Sequence, residues 1–406
     1  MARKSLTRPA ESGASARALE RSTPAAPIAG ASTRDRYYME VALRLARRSL
    51  GNCWPNPAVG CVLVGGTGGE RIIGRGWTQA GGRPHAEREA LDRAGRTVGP
   101  EAIAGGTAYV SLEPCSHHGE TPPCADAFVD AHVGRVVIAC EDPDPRVAGR
   151  GVKRLDVAGI ATRVGVLAEA ALSLNSGFLT RLGEGRPEVT LKTGSSLDAR
   201  IATAAGESQW ITGSRSRRRT HLLRAQHDAV MVGVETVIRD DPSLDCRLEG
   251  LEDRSPVRVV VDSTLRLPAD RRVVQTARAL PTCVLTTARA DPAARDQLVA
   301  AGVEIIETAA TPENRVDLAH ALERMGDRGF TRLLVEGGGT LAAAMVAAGL
   351  VDRIAWFRAP RLIGDDGVPA VAGLGLPRLA EAPAFAPVGR YDLGDGVLEL
   401  FARPGH

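Results

Sequence analysis

Two short stretches, HAERE at residues 85–89 and LEPCSHHGETPPC at residues 112–124, carry the strongest signal in the chain. They contain His85, Cys115 and Cys124, which offer one nitrogen and two sulfur ligands. A catalytic zinc ion takes three protein ligands of these kinds and keeps its fourth position open for water. The two stretches therefore predict a zinc site at strand and helix ends of an α/β domain.

Glu87, two residues after His85, is predicted to carry protons beside this metal. Zinc lowers the pKa of its bound water to about 7. Deamination further needs one proton on the ring nitrogen and one on the leaving amine, and a single carboxylate can deliver both. An apolar run at helical spacing predicts a helix that holds His85 and Glu87 in its first turn and ends at Gly95. Cys124 opens a second predicted helix, whose N-terminus favours a thiolate. The set predicts a hydrolytic deaminase of a nitrogen heterocycle.

The spacing of the two cysteines leaves alternatives open. A common zinc-deaminase signature is Pro-Cys-x-x-Cys, whereas eight residues separate Cys115 from Cys124, which predicts an inserted loop. The alternative is a structural zinc site with His117 or His118 as its fourth ligand. A disulfide is disfavoured, because the seven cysteines are an odd number and no secretory signal is recognisable.

The length and the alternation of predicted strands and helices indicate two α/β domains. A chain of 406 residues is long for a single core. A polar, glycine-containing stretch at residues 175–186 leads into Pro187 and predicts the domain boundary. We therefore expect an extension at residues 1–34, a first domain with a mixed sheet at 35–182 and a second domain at 187–406.

Composition argues against two classes of partner. Residues 1–34 hold six Lys/Arg and two Asp/Glu, so the rest of the chain has 45 basic and 46 acidic residues. This near-neutral charge disfavours a large nucleic-acid-binding surface. No apolar run is long enough to span a membrane. Free or metal-bound cysteines suit the reducing cytoplasm. The Ala-, Ser-, Pro- and Arg-rich extension is predicted to be disordered, with an organelle transit peptide as the alternative.

Together with PNPAVG at residues 55–60, the first two stretches closely resemble the riboflavin-biosynthesis deaminase–reductases, the RibD family. The second half carries further family motifs in the same order. They are KTGSSLD (192–198), GESQWIT (206–212), DDP (240–242) and EGG (336–338). The resemblance runs from about Arg36 to the C-terminus.

The resemblance implies two activities in one chain. The first domain would use Zn²⁺ to deaminate 2,5-diamino-6-(5-phosphoribosylamino)pyrimidin-4-one. The second would use NADPH to reduce the ribosyl group of the product to ribityl. The implied folds are a cytidine-deaminase-like three-layer α/β/α domain with a mixed sheet and a dihydrofolate-reductase-like α/β domain. The family also suggests a homodimer or homotetramer.

Matching to the family assigns binding residues in the second half. EGGGT at residues 336–340 follows a predicted strand and opens a predicted helix, which suits a phosphate; without the G-x-G-x-x-G fingerprint, a simple tight turn is the alternative. The implied cofactor contacts are Gly194, Trp210, Thr236, Asp240, Ser263, Gly338, Gly339, Thr340, Leu341, Ala342, Ala343 and Ala344. The implied substrate contacts are Ser208, Arg224, Leu244, Arg247 and Glu336.

Some single residues keep a second interpretation. Lys192 is assigned a catalytic role in proton transfer, with phosphate binding as the alternative. Asn56 offers a donor and an acceptor to a pyrimidine edge, or it is a turn residue between prolines. Arg224 and Arg247 suit a sugar phosphate, although surface charge would explain them equally. Trp210 would also fit an ordinary core.

The chain departs from the family at two positions. Glu120 stands where the family usually has Lys or Arg, which removes a possible phosphate contact from the first site. Ala199 stands where the family has Gly after Leu-Asp, and Ala is unfavourable there if the backbone has a positive φ.

Two functions of other classes remain as alternatives. One is a zinc deaminase of an RNA base or free nucleoside with an accessory C-terminal domain, which the near-neutral charge and the sparse aromatic residues disfavour. The other is a zinc-stabilised regulatory protein without activity, which the intact Glu87 disfavours.

Overall fold

The structure is a computed structural model that describes residues 32–65, 71–116, 122–144 and 148–405. It divides into two compact units between Glu184 and Gly185, referred to below as the N-terminal unit and the C-terminal unit. The first 31 residues of the predicted extension, together with His117, His118 and Glu120, lie outside the described residues.

The N-terminal unit is built on a five-stranded mixed sheet. The strand order is β2-β1-β3-β4-β5; β1 runs antiparallel to β2 and β3, while β3, β4 and β5 are parallel. The predicted mixed sheet is confirmed. In chain order the elements are α1 (Thr33–Ala46), β1 (Gly60–Gly65), β2 (Arg71–Trp77), α2 (Ala86–Val98), β3 (Thr107–Val110), α3 (Cys124–Asp130), β4 (Arg135–Ile138), α4 (Arg150–Val157), β5 (Ala161–Val164), α5 (Ala168–Leu174) and α6 (Ser176–Glu184).

Glycines in β1 and β2 let two helices approach the sheet closely. A Cβ on Gly60 would lie 1.9 Å from the Ala42 carbonyl oxygen of α1, and one on Gly76 would lie 2.0 Å from the Ala86 oxygen of α2. Cys61 is the cross-strand partner of Gly76. Because neighbouring residues of a strand point to opposite faces, α1 and α2 cover opposite faces, as a three-layer domain requires. Gly76 on β2 thus lets the first turn of α2 pack directly against the sheet.

Several predicted boundaries differ from the structure. Helix α2 continues past Gly95, where a Cβ would meet no atom within 4 Å, and ends before Gly99 at φ 84°. His85 is the N-cap of α2 rather than part of its first turn. Helix α1 begins at Thr33, inside the predicted extension, and the stretch predicted as a polar boundary contains α6.

The C-terminal unit contains a nine-stranded sheet of order β11-β10-β9-β8-β12-β6-β13-β16-β15. The first seven strands in this order, from β11 to β13, are parallel to one another. Strand β16 pairs antiparallel with β13, and β15 pairs antiparallel with β16. The elements are β6 (Glu188–Ser195), β7 (Arg200–Ala202), α7 (Ser214–Ala225), β8 (Ala229–Gly233), α8 (Val234–Asp240), β9 (Val257–Val261), α9 (Arg272–Gln275), β10 (Thr282–Thr286), α10 (Pro292–Ala301), β11 (Glu304–Glu307), α11 (Leu318–Asp327), β12 (Arg332–Glu336), α12 (Gly339–Ala347), β13 (Arg353–Arg358), β14 (Val368–Pro369), β15 (Ala386–Asp392) and β16 (Val397–Ala402).

The central strands of this sheet are almost continuously buried and apolar, as in AVMVG of β8 and VRVVV of β9. Parallel strands covered on both faces have this composition. Their carboxyl ends lie at one edge of the sheet, which is where α/β folds bind ligands. Strands β7 and β14 form a separate antiparallel pair. Within the described ranges, no helix has both the length and the apolarity to cross a membrane.

Candidate active sites

The three predicted zinc ligands come together in the N-terminal unit. The His85 Nδ1 atom lies 3.7 Å from the Cys115 Sγ and 3.4 Å from the Cys124 Sγ, and all three ligand atoms lie within 4.8 Å of one another. Tetrahedral bonds of about 2.3 Å to sulfur and about 2.05 Å to nitrogen separate the N and S ligand atoms by about 3.6 Å. The two N···S distances are therefore close to those of a tetrahedral zinc site.

Each ligand lies at the end of a regular element. His85 caps α2, Cys115 follows β3 by a short turn, and Cys124 is the first residue of α3. The Cys124 backbone N–H donates to the Cys115 Sγ at 3.3 Å. The hydrogen bond from the Cys124 thiol lowers the pKa of Cys115 to about 4, so its sulfur is present as the metal-binding thiolate.

Glu87 lies in the first turn of α2, directly beside these ligands. Its side chain is buried, with 4% of its surface exposed, and burial raises the pKa of its carboxyl to about 7. The Cys124 thiol is within hydrogen-bonding reach of this carboxylate. A carboxyl that titrates near neutral pH can both accept and return a proton.

Glu113 is a residue of this site that sequence reasoning missed. It is buried, and its two carboxylate oxygens accept four backbone N–H bonds of 2.8 to 3.1 Å, one from Asp142 and the others from residues 149–152 at the start of α4. Glu113 thereby ties this segment to the loop that carries Cys115. Its only sequence signal is an acid directly before Pro-Cys.

The Asn56 amide is partly occupied within the protein. Its Nδ2 donates to the Gly82 carbonyl at 3.0 Å, which leaves the side-chain oxygen and one N–H for another partner. The loop of Asn56 is itself held by the buried Asn175, which exchanges two hydrogen bonds with the Ala58 backbone. Asn175 was also missed, because 117 residues separate it from Ala58.

A cavity of about 1580 Å³ opens in the C-terminal unit at the carboxyl ends of β6, β8, β9 and β12. It is lined by most of the residues that the family resemblance assigned. Those lining it are Lys192, Gly194, Ser208, Trp210, Arg224, Thr236, Asp240, Leu244, Arg247, Ser263, Glu336, Gly338, Gly339, Thr340, Leu341 and Ala344. Ala342 and Ala343 are buried in α12 and are not part of the cavity wall.

An ionic network lies in the wall of this cavity. Arg224 binds both carboxylate oxygens of Glu336, at 2.6 and 3.0 Å, and the Lys192 Nζ lies 3.8 Å from the same carboxylate. Burial opposes the ionisation of Glu336, but Arg224 and Lys192 outweigh it and lower its pKa to about 2. Burial lowers the pKa of Lys192, against the attraction of Glu336.

The glycine-rich turn after β12 fits a phosphate. Gly338 is the N-cap of α12 without any side-chain cap, so the first N–H groups of the helix lack partners within it, and their residues, 339–341, line the cavity. A Cβ on Gly339 would lie 2.4 Å from the Pro369 carbonyl oxygen, so this turn needs glycine. The Ala342 N–H is already bonded to the Gly338 carbonyl.

Trp210 is not a core residue, because 63% of its surface is exposed. The Arg217 guanidinium lies 4.4 Å from the centroid of its ring, which gives the indole a defined place at the cavity wall. Arg217 was not identified from the sequence. Ser263 accepts a hydrogen bond from the Val316 backbone N–H at 3.0 Å, which brings the loop before α11 to the cavity.

Comparison with known families identifies both halves of the chain. Residues 187–398 match the family described as RibD C-terminal domain, and residues 32–140 match the cytidine and deoxycytidylate deaminase zinc-binding region. The riboflavin biosynthesis protein RibD of Escherichia coli is 43% identical over 364 residues, which cover 86% of this chain and 94% of the relative. RibD of Aquifex aeolicus is 38% identical and covers 91% and 98%.

Solved structures agree over the same length. RibD of Acinetobacter baumannii superposes with a TM-score of 0.78 at 36% identity, covering 91% of this chain and 98% of that one. A diaminohydroxyphosphoribosylaminopyrimidine deaminase/5-amino-6-(5-phosphoribosylamino)uracil reductase of Thermotoga maritima gives a TM-score of 0.78 at 33% identity with the same coverage. The zinc ligands, the second cavity and these similarities lead to one conclusion: the chain belongs to the RibD family of riboflavin biosynthesis proteins.

Proposed function

We propose that the chain deaminates 2,5-diamino-6-(5-phosphoribosylamino)pyrimidin-4-one in its N-terminal unit and reduces the deaminated product in its C-terminal unit. As a member of the RibD family it is an enzyme of riboflavin biosynthesis with deaminase and reductase activities, and it uses Zn²⁺ and NADPH. The observation that carries the proposal is the gathering of His85, Cys115 and Cys124 beside Glu87.

In the deaminase site, His85, Cys115 and Cys124 would hold the zinc ion, which supplies an activated water when bound. Glu87 would carry both protons of the attacking water in turn: the first to the ring nitrogen as hydroxide adds to the ring carbon, and the second from the resulting hydroxyl to the amine that leaves as ammonia. Its position in the first turn of α2, next to two ligands, and its pKa near neutrality support this role. Asn56 retains one donor and one acceptor for the pyrimidine edge.

In the reductase site, NADPH supplies a hydride when bound. The helix start at residues 338–344 would receive a phosphate of the cofactor, and Gly194, Trp210, Thr236, Asp240 and Ser263 would contact its remainder. Reduction of a ribosylamino group opens the sugar ring, so the ring oxygen needs a proton. Lys192 is the proposed donor, because its buried ammonium group lies in the cavity wall and burial lowers its pKa. Ser208, Arg224, Leu244, Arg247 and Glu336 contact the substrate.

The RNA-base alternative is not favoured. It requires an accessory C-terminal domain, whereas residues 187–398 match the RibD C-terminal domain. A cytoplasmic location is part of the proposal, and the seven free cysteines suit a reducing compartment.

A homodimer or homotetramer is also proposed. Apolar side chains are exposed at and before the edge strand β15, among them Leu379 at 91%, Val388 at 58% and Tyr391 at 50%. Exposed apolar side chains beside an unpaired strand edge are typical of protein interfaces. Light scattering after gel filtration tests this, with a monomer as the contradicting result.

A coupled assay tests the central proposal. Purified protein with zinc receives the diaminopyrimidinone substrate and NADPH, and ammonia release and NADPH oxidation are followed together. The wild type is expected to show both. Glu87→Gln keeps the size of the side chain and is expected to lower ammonia release by about 10²–10⁴-fold, while it oxidises NADPH normally when given the deaminated product.

Three results separate the parts of the proposal. Ammonia release without NADPH oxidation would remove the reductase assignment. Unchanged deamination by Glu87→Gln would remove the role of Glu87. Neither activity in a folded, zinc-loaded wild type would remove the substrate assignment.

A further inference from the structure

His221 lines the reductase cavity, but no role has been assigned to it so far. It lies on α7, three residues before Arg224, and therefore on the same face of the helix. Its Nδ1 lies 3.2 Å from the Asp245 carbonyl oxygen and 3.3 Å from the Arg247 backbone nitrogen. One nitrogen of the ring is thus fixed by the loop that also carries Arg247.

The second ring nitrogen is available for a ligand. The Nε2 of His221 makes no hydrogen bond to any of the described residues, whereas Nδ1 has two possible partners. The two nitrogens point in different directions, so a ring that directs Nδ1 to the 245–247 backbone directs Nε2 away from it. His221 forms part of the cavity wall, so Nε2 is the ring nitrogen that a ligand in the cavity can reach.

Arg224 has few donors left for a substrate. Its Nε and Nη2 bind Glu336, and its Nη1 donates to the Asp245 carbonyl at 3.0 Å. The pairing with Glu336 also compensates its charge. Arg247 is more exposed; its Nε lies 3.4 Å from an Asp245 carboxylate oxygen, and its two Nη atoms make no hydrogen bond within the described residues. A phosphate between Arg247 and His221 would therefore meet donors that the protein does not already use.

We propose that His221 is a specificity-determining residue of the reductase site, donating from Nε2 to the phosphate of the substrate beside Arg247. This inference rests on the proposed function, because it takes a phosphorylated ribosylaminouracil as the reductase substrate. The contact distinguishes that compound from its dephosphorylated form.

A phosphate at Nε2 selects the tautomer that carries its proton there, over the one in which Nδ1 donates to the Asp245 carbonyl. When the Arg247 N–H donates to Nδ1, the single proton of a neutral imidazole lies on Nε2. Burial, together with the cations of Arg224 and Arg247, lowers the pKa of His221, so the ring is largely neutral at physiological pH. Neutral imidazole still offers Nε2–H, and the facing charges of Arg224, Arg247, Asp245 and Glu336 are otherwise paired among themselves.

Two substitutions separate the two ring nitrogens. Asparagine at this position can replace Nδ1 toward the 245–247 backbone but does not reach the place of Nε2, whereas glutamine reaches further. We expect His221→Asn to raise the KM for the phosphorylated substrate roughly tenfold or more, since hydrogen bonds to charged groups are worth about 1.5–3 kcal/mol. The kcat and the KM for NADPH should stay within about twofold, and His221→Gln should recover most of the loss.

The dephosphorylated substrate, prepared with a phosphatase, is the control. Its kcat/KM should be the same for wild type, His221→Asn and His221→Gln. If His221→Asn slows both substrates equally, or changes neither, the phosphate contact is refuted, while wild-type activity still supports the reductase. If the wild type oxidises NADPH with neither compound, the proposed reductase function fails and the inference fails with it.

Discussion

The zinc site and the reductase cavity are built in opposite ways. The zinc site consists of four side chains between His85 and Cys124, each at a helix start or just after a strand. The cavity draws on residues from Lys192 to Val368 and depends on backbone N–H groups and on pairs that are distant in sequence. A site defined by the identity of a few side chains can be recognised in a sequence, whereas one defined by backbone and distant pairs requires the fold.

The largest effect is expected from removing a zinc ligand. Cys115→Ala should reduce bound zinc from about one ion per chain to almost none and abolish deamination, because two remaining ligands bind zinc weakly. NADPH oxidation with the deaminated product should stay within about twofold. Metal analysis and the two separate assays measure this.

Cys140→Ala is the matched control, since Cys140 is buried in the same unit but lies outside the zinc cluster. It should keep its zinc. Loss of the reductase activity in Cys115→Ala would show that the two sites are not independent and would break the comparison.

The next effect concerns Lys192. Lys192→Met keeps the apolar length of the side chain but removes the ammonium group near Glu336, and kcat of the reductase should fall by about 10²-fold or more. Deamination should be unchanged. Stopped-flow measurement of NADPH oxidation, with NADPH binding followed by fluorescence, separates catalysis from binding.

Lys153 provides the control for this substitution, as an exposed lysine on α4 of the other unit. Lys153→Met should leave both activities intact. An increased KM for substrate with an unchanged kcat in Lys192→Met would assign Lys192 to phosphate binding instead of proton transfer.

The sequence predicted the zinc site and the alternation of strands and helices along the chain, because ligand types and apolar runs are local signals. It did not predict the pairing of Arg224 with Glu336, which are 112 residues apart. Strand β15 was missed as well, since its residues are mostly exposed and include Pro387, as an edge strand permits. NADPH, the substrate and the individual contacts in the second half came from the family resemblance, because the local pattern at residues 336–340 indicated only a phosphate.

Lowering the pH should reduce the stability of the C-terminal unit, because this unit contains a buried histidine, His227. His227 is buried between the Leu223 carbonyl and the Thr190 hydroxyl, and burial lowers its pKa to about 4 from an ordinary value of 6.5. As the pH falls, this histidine is therefore protonated in the unfolded state before it is protonated in the folded state. The free energy of unfolding decreases between about pH 6.5 and about pH 4, by up to about 3 kcal/mol.

Amide exchange in β6 and β8 between pH 7 and pH 4 measures this loss. His227→Asn should be less stable at pH 7 but should have a flatter dependence on pH, whereas His320→Asn, near the surface, should keep the wild-type slope. An unchanged slope in His227→Asn would assign the acid sensitivity of the C-terminal unit to other groups.

The smallest effect tests a backbone position where this chain departs from its family. Ala199 has a φ of 60°, in the left-handed region that favours glycine. Ala199→Gly should relieve this strain by about 1–2 kcal/mol but also increase the entropy of the unfolded chain, which leaves a net stabilisation of about 0.5–1 kcal/mol. Thermal unfolding measures it, with Ala300→Gly in α10 as a control that should destabilise by about 1 kcal/mol. If Ala199→Gly destabilises the protein instead, the added entropy of the unfolded chain outweighs the strain at this position, and a φ of 60° costs the native turn less than the left-handed region usually costs a residue with a Cβ.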